Sequence, residues 1–397
     1  MKYDFDRIID RRHTDSEKWN IKENELPMWV ADMDFETAPE VIAAMEKRLK
    51  NGVFGYSYIP DAWYEAYADW WKKRHHFTIE KDWLIFCTGV IPAISSIVRK
   101  LTTPAEKVLI QTPVYNIFFN SVLNNGRVPL ESPLVIKNGR YEIDFEKLEE
   151  GLADPQTSLM LLCNPQNPGG RIWTKEELVR IAELCGKYDV KVVADEIHCD
   201  LTAPGYEYVP FASVSDTARE ISVSCISTSK CFNIAGLQSA AVFAANKKIR
   251  HMVWRGLNTD EAAEPNVFAC TAAIAALTEG EEWLNELNSY IDKNKQNAAA
   301  FINENIPGLK AMYEPATYLL WIDARDLPGN GKGFCSFLRE KTGLFLSEGA
   351  IYGKGGEGFV RMNLACPASL VTDGLSRLKK GVELYLQAGA SSPTISA

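Results

Sequence analysis

The chain has 397 residues, of which 46% are apolar and 24% charged, the balance of a globular protein with room for two or three units of roughly 150 residues. Its 52 Asp and Glu against 43 Lys and Arg give a formal charge of −9, and no basic block offsets it, so nucleic acid and anionic membranes are excluded as partners. Apolar runs fall short of the ~18 residues of a membrane helix, and the opening MKYDFDRIIDRRHTD is too charged for a secretory leader.

Nine cysteines without a C-x-x-C pair, and five histidines without H-x-x-x-H, point to buried reduced thiols, a cytoplasmic location and no metal site. In chain order, Thr37-Ala-Pro-Glu40 predicts a capping box opening a helix with Val41, Ile42, Met45 and Leu49 on its apolar face and Gly52 as its stop. A second helix follows Asp61, with Trp63, Tyr67, Trp70 and Trp71 facing inward. Apolar runs of strand length then recur: WLIFCTG, KVLIQT, SLMLLCN, VKVVADE, ISVSCIST and SAAVFAA. Thr174 and Glu177 form a second capping box before Leu178 and Ile181.

Uniformly apolar strands alternating with helices predict a mainly parallel sheet covered on both faces. The expected organisation is α/β: residues 1–47 as an N-terminal arm joining a small domain, 48–285 as a large domain, and 286–397 as a smaller C-terminal α/β domain. In the last, strands are expected at YLLWID, GLFLSEG and FVRMNLA, and the tail QAGASSPTISA is expected to fray.

Gly353-Lys-Gly355-Gly-Glu-Gly358 satisfies G-x-G-x-x-G, but it leads into a strand-like run, whereas a dinucleotide fingerprint opens a helix. More informative are four segments at the C-terminal ends of expected strands, where open α/β sheets bind ligands. Lys230 sits among Ser227, Thr228 and Ser229; burial there would make it an amine nucleophile, whereas exposure would leave it a solvated cation. Asp195 and Glu196 end the VKVVADE run and are suited to binding a metal, capping a helix or pairing with a cationic ring nitrogen. In NPQNPGG, Asn167 offers amide donors to a ligand oxygen or serves a structural turn. Gly89, Val90 and Ile91 form a strand-to-helix turn whose free N–H groups favour phosphate.

Taken in order, these segments resemble the fold-type I pyridoxal-phosphate (PLP) enzymes of the aspartate aminotransferase superfamily, over about residues 20–385. LPMWVADMDF, GVFGYS, TPVY, ADEIH, SKCFNIAGLQ and GEGFVRMN further resemble the MalY/PatB-type cystathionine β-lyases, or C–S lyases. That resemblance implies Lys230 as the Schiff-base lysine and later proton carrier, and Asp195 as partner of the pyridinium nitrogen. It implies Asn167 as a donor to the ring 3-oxygen and Tyr115 stacked on the ring. Ser227 and Ser229, with the backbone of Gly89, Val90 and Ile91, would hold the phosphate. Tyr56 would reach the phosphate of a neighbouring subunit in a homodimer, with Tyr58 as its rival, and Arg361 would clamp the substrate α-carboxylate.

His198 stands where aminotransferases carry a tyrosine, and Gln238 where they carry a phosphate-binding arginine; both departures are shared with the C–S lyase branch. His198 would polarise the 3-oxygen or simply pack. The implied activity is β-elimination from cystathionine or a cysteine S-conjugate, giving a thiol, pyruvate and ammonia. The alternatives are an aminotransferase of an aromatic or aliphatic amino acid, and a regulatory protein acting through a binding partner. Asp260, Glu261 and Glu264 are either selectors against acidic substrates or solvated loop charges.

Overall fold

A computed structural model of the chain describes residues 2–390. A seven-stranded sheet runs in the order Leu84–Cys87, Ala240–Phe243, Ser222–Ile226, Lys191–Asp195, Thr157–Cys163, Lys107–Ile110, Val128–Glu131. Ala240–Phe243 is antiparallel to both its neighbours, and the other pairings are parallel. The strands read as unbroken apolar runs because successive side chains enter different cores. Val108, Ile110, Leu159 and Leu161 pack with Ile94 and Ile97 of the helix Val90–Leu101. Leu109, Met160 and Leu162 pack instead with Leu178 and Ile181 of the helix Lys175–Lys187.

A second sheet of four antiparallel strands, Lys310–Met312, Leu319–Asp323, Phe359–Asn363 and Ser347–Glu348, is backed by the helices Glu281–Asn305, Phe334–Thr342 and Ala368–Ala390. The N-terminal segment joins it: Leu26–Pro27 pairs in parallel with Leu344–Phe345. Between the sheets, Trp63, Tyr67, Trp70 and Trp71 of the helix Asp61–Arg74 are all buried, as their spacing predicts. No helix among the described residues is long and apolar enough to cross a membrane. All nine cysteines are free and buried.

Of the two expected capping boxes, one forms. Thr174 Oγ1 accepts the Glu177 amide at 3.2 Å, and Glu177 returns the bond to the Thr174 amide at 2.9 Å. The first helix starts at Pro39 with Ala38 as its N-cap, so Thr37 lies outside it and makes no capping bond. Proline at the first helical position, where an N–H has no partner in any case, moves the start one residue past the expected register. Gly353–Gly358 leads into the strand Phe359–Asn363 and opens no helix. Of the tail expected to fray, residues 387–390 continue the last helix, and the remainder lies outside the described residues.

Candidate active site

Parallel strands deliver their C-terminal ends to one edge of the sheet, and the chemistry-bearing residues follow from that. Asp195 is the last residue of its strand, in register with Cys163 on one side and Cys225 on the other. Its carboxylate is buried and accepts the Ile197 amide at 3.2 Å, and no cation forms an ion pair with it among the described residues. Burial pushes its pKa up to about 7, against the Ile197 amide and the charge of Lys230, which favour the ionised form. Lys230, half-buried just beyond the strand Ser222–Ile226, is lowered to about 8 by burial; Arg361 adds to that effect while Asp32 and Asp195 oppose it. Its Nζ donates to the Ala31 carbonyl at 2.6 Å.

The NPQNPGG turn is tied down from several sides. Gln166 Nε2 donates to the Pro113 carbonyl at 2.6 Å, and the Gly169 amide donates to Gln166 Oε1 at 2.8 Å. The Asn167 amide donates to Cys163 Sγ at 3.4 Å. Asn167 Oδ1 in turn accepts a guanidinium N–H of Arg361 at 3.2 Å. Arg361 comes from the strand Phe359–Asn363 and is 5% exposed. Its other bond is to the Trp29 carbonyl at 2.9 Å, its guanidinium lies 4.9 Å from the centre of the Tyr352 ring, and its Nε has no partner. No carboxylate pairs with it among the described residues, which leaves a buried cation open to an anion.

Tyr115 stands within the electrostatic reach of Asp195 and Arg361; burial first, then Asp195, raise its phenol to about 12, so it stays protonated. His198 is buried, its ring edge-on to Tyr318 at 6.0 Å, and its Nδ1 has no partner. Burial, with Lys230, Arg361 and Lys295 adding to it, lowers this imidazole to about 3 and keeps it neutral. Ser227 Oγ lies 2.9 Å from Ser229 Oγ and 2.7 Å from the Ser239 carbonyl, and accepts the Ser229 amide at 3.0 Å. The hydroxyl of Ser239 beside them is buried without a partner, whereas that of Thr228 faces the buried Tyr67 phenol. Gly89 precedes the helix Val90–Leu101, which no side chain caps, so the amides of Val90 and Ile91 are left for a ligand.

Lys230, Asp195, Asn167, His198, Tyr115 and Arg361 are thus brought together by hydrogen bonds or mutual electrostatic influence. Tyr56 is not: it and Tyr58 are exposed, at 106% and 81%. Asp260 pairs with Arg99, while Glu261 and Glu264 are exposed. Sequence reasoning missed the Ala31 carbonyl, Asp32, Tyr318, Cys163 and Asn363. The one available signal was the i, i+2 spacing of Arg361 and Asn363, which puts both on one face of a strand.

The family of class I and II aminotransferases matches residues 24–378. The chain belongs to that family. Among class I and II relatives, it is 41% identical over 382 residues to cystathionine beta-lyase PatB of Bacillus subtilis, covering 94% of this chain and 98% of the relative. It is 34% identical over 384 residues to the protein MalY of Escherichia coli, covering 95% and 98%. Among solved structures it resembles cystalysin from Treponema denticola, which contains a pyridoxal 5'-phosphate cofactor, with a TM-score of 0.93 at 36% identity over 96% of this chain and 99% of that one. The class I and II fold is accordingly the aspartate aminotransferase-like fold type I that the motifs implied.

Proposed function

We propose that this chain is a PLP-dependent carbon–sulfur lyase that cleaves cystathionine or a related cysteine S-conjugate to a thiol, pyruvate and ammonia. The observation that carries it is a pair of buried, uncompensated charges, Asp195 without a cation and Arg361 without an anion, with Lys230 in the field of both. These vacant valences match the parts of the cofactor and an amino acid. The Asp195 carboxyl suits a ring N–H⁺, the unpartnered Ser239 hydroxyl beside Ser227 and Ser229 suits a phosphate, and Arg361 suits an α-carboxylate.

PLP, when bound, supplies an electron-withdrawing ring that stabilises negative charge at the substrate Cα. Asp195 holds the proton on the ring nitrogen. Asn167, whose Oδ1 already accepts from Arg361, keeps its Nδ2 to donate to the ring oxygen, with neutral His198 nearby. Tyr115 stacks on the ring, and the amides of Gly89, Val90 and Ile91 join the serines around the phosphate. Arg361 grips the substrate carboxylate and so fixes the Cα–H bond relative to Lys230. Lys230 would anchor the cofactor, and as a free amine whose pKa burial lowers to about 8 it would have a readily populated neutral form able to take the Cα proton. Loss of a thiolate from Cβ then completes the elimination, and water hydrolyses the released 2-aminoacrylate to pyruvate and ammonia.

The lyase reading over the aminotransferase one is supported by the relative at 41% identity, a cystathionine beta-lyase by name. It is also supported by the absence of arginine at position 238, where an exposed glutamine stands in a left-handed backbone conformation. Incubating the purified protein with L-cystathionine and no keto-acid tests it. Stoichiometric pyruvate and thiol, lost in Lys230→Ala, is the expected result. Amino transfer to 2-oxoglutarate or pyruvate without elimination would overturn it in favour of the aminotransferase.

The functional unit in this reading is a homodimer. An exposed run including Val53, Phe54, Tyr56 and Tyr58 supports it, with Tyr56 free to reach a partner's phosphate. The three-part division at residues 47 and 285, and a cytoplasmic location suggested by nine free buried thiols, belong to the same proposal.

A further inference from the structure

Three consecutive carbonyls of the N-terminal segment are held by Asn363, in the four-stranded sheet, and by Tyr318, the residue that leads into its strand Leu319–Asp323. Asn363 Nδ2 donates to the Val30 carbonyl at 2.5 Å and to the Asp32 carbonyl at 2.6 Å. Between them, the Ala31 carbonyl accepts the Tyr318 hydroxyl at 2.8 Å and Lys230 Nζ at 2.6 Å. Tyr318 and Asn363 act together because Asn363 pairs with Leu319 across the antiparallel ladder, and the Leu364 amide donates to the Tyr318 carbonyl. The chain leading into Tyr318 is fixed as well. The buried ammonium of Lys295 donates to the carbonyls of Glu314, Ala316 and Thr317 at 2.6, 2.6 and 3.1 Å.

We propose that Tyr318 is a positioning residue for Lys230: its hydroxyl fixes the Ala31 carbonyl as the docking acceptor for the lysine whenever its amine carries a proton. A carbonyl oxygen has two lone pairs, so it serves both donors at once, and the bond to a charged ammonium is the stronger of the two. Tyr318 is fully buried, and burial holds its phenol well above the ordinary value, so it remains a donor at every working pH. No carboxylate takes over this task. Asp32 and Asp195 act on Lys230 without bonding to it, Arg361 opposes its charge, and His198 is neutral. The Asp32 oxygens are already engaged by Arg11 at 2.8 Å and by Lys18 at 3.7 Å.

For the proposed reaction, on which this consequence rests, the dock gives Lys230 a defined place after it has taken the Cα proton, and it makes that place depend on the four-stranded sheet. The test needs no amino-acid substrate and no cofactor. In the cofactor-free full chain, the rate at which trinitrobenzenesulfonate labels Lys230 is followed by peptide mass spectrometry from pH 6 to 10. Tyr318→Phe keeps the ring against His198 and removes the hydroxyl. Without its tether the carbonyl no longer stabilises the ammonium, and the labelling midpoint falls by about half a pH unit, so labelling at pH 7 speeds up about threefold. An unchanged midpoint would mean that Tyr318 only packs. A raised one would mean that its hydroxyl competes with Lys230 for the carbonyl; either result overturns the proposal. In the loaded enzyme the same variant lowers kcat with little change in KM. Failure of the cystathionine assay leaves the labelling result intact, so the two readings fail separately.

Discussion

Arg361 donates to Asn167 Oδ1 at 3.2 Å across 194 positions of sequence, joining the four-stranded sheet to the turn that follows the strand Thr157–Cys163. The proposed carboxylate clamp and the proposed donor to the ring oxygen are therefore parts of one hydrogen-bonded unit. In the proposed function, a substrate carboxylate that draws on Arg361 would also pull on the Asn167 amide.

The same bond frames a first prediction. Arg361 is a desolvated cation without an anionic partner, so the fold gains little from its charge. Arg361→Met is expected to leave the urea unfolding free energy within about 1 kcal/mol of wild type. Its kcat/KM for cystathionine is expected to fall by about 10²–10³, the cost of losing a buried charge-assisted clamp. Lost stability with retained turnover would show that the arginine serves the fold.

Asp195 carries a pH prediction. Its pKa is raised from 3.8 to about 7 in the folded protein, so between those values the folded state holds a proton that the unfolded chain has released. Stability of the cofactor-free protein therefore falls as pH rises through that window, and the penalty is complete above it. Asp195→Asn removes the penalty. Melting curves of the cofactor-free proteins should place the variant above wild type at pH 8 and level with it at pH 4. Loading with PLP should reverse the order at pH 8, because the ring N–H⁺ gives the carboxylate its missing cation.

How much of this was legible in the sequence depended on the range of the interactions. The strands of the large sheet were, because every residue of a run such as Val108-Leu109-Ile110 is buried in one core or the other. The edge strand Val128–Glu131 was not, since it is partly exposed and its sequence VPLE has a proline and no alternation. Lys230, Asp195 and Asn167 were legible because the chemistry gathers at strand ends. Ala31 and Tyr318 were not, since their importance lies in a bond between residues 287 positions apart. Tyr56 is a different case: its assigned role concerns a second chain, and in one chain it faces outward.

The two capping boxes make a paired test of local reading. Thr174→Ala removes a made bond and is expected to cost about 1 kcal/mol in urea unfolding. Thr37→Ala removes a hydroxyl without a hydrogen-bond partner, ahead of a helix that starts at Pro39, and its cost should be within a few tenths. Equal costs would mean that Thr37 caps the helix after all.

Asp200 sets the last prediction, in a buried cluster two residues beyond His198. One of its carboxylate oxygens accepts Trp70 Nε1 at 3.0 Å and His75 Nε2 at 3.0 Å, and forms an ion pair with Arg74 Nε at 3.1 Å. The thiols of Cys199 and Cys231 approach the other oxygen at 3.8 and 3.7 Å. Burial works against ionisation here, but the His75 ring and the Arg74 guanidinium outweigh it and hold the pKa below 3.8. The stabilisation is therefore present above pH 3.8 and lost as pH falls through the lowered folded value. Asp200→Asn leaves a largely buried guanidinium without its counterion, and at pH 7 it is expected to cost about 3–5 kcal/mol. The gap from wild type should narrow in acid as wild type loses the same charge. His75, Cys199 and Asp200 are also types that bind metal, with their ligand atoms within 4.8 Å. Because two N–H donors and the Arg74 cation already occupy the carboxylate, EDTA should leave the melting temperature unchanged. A drop on chelation would mean that an ion, and not Arg74, balances Asp200.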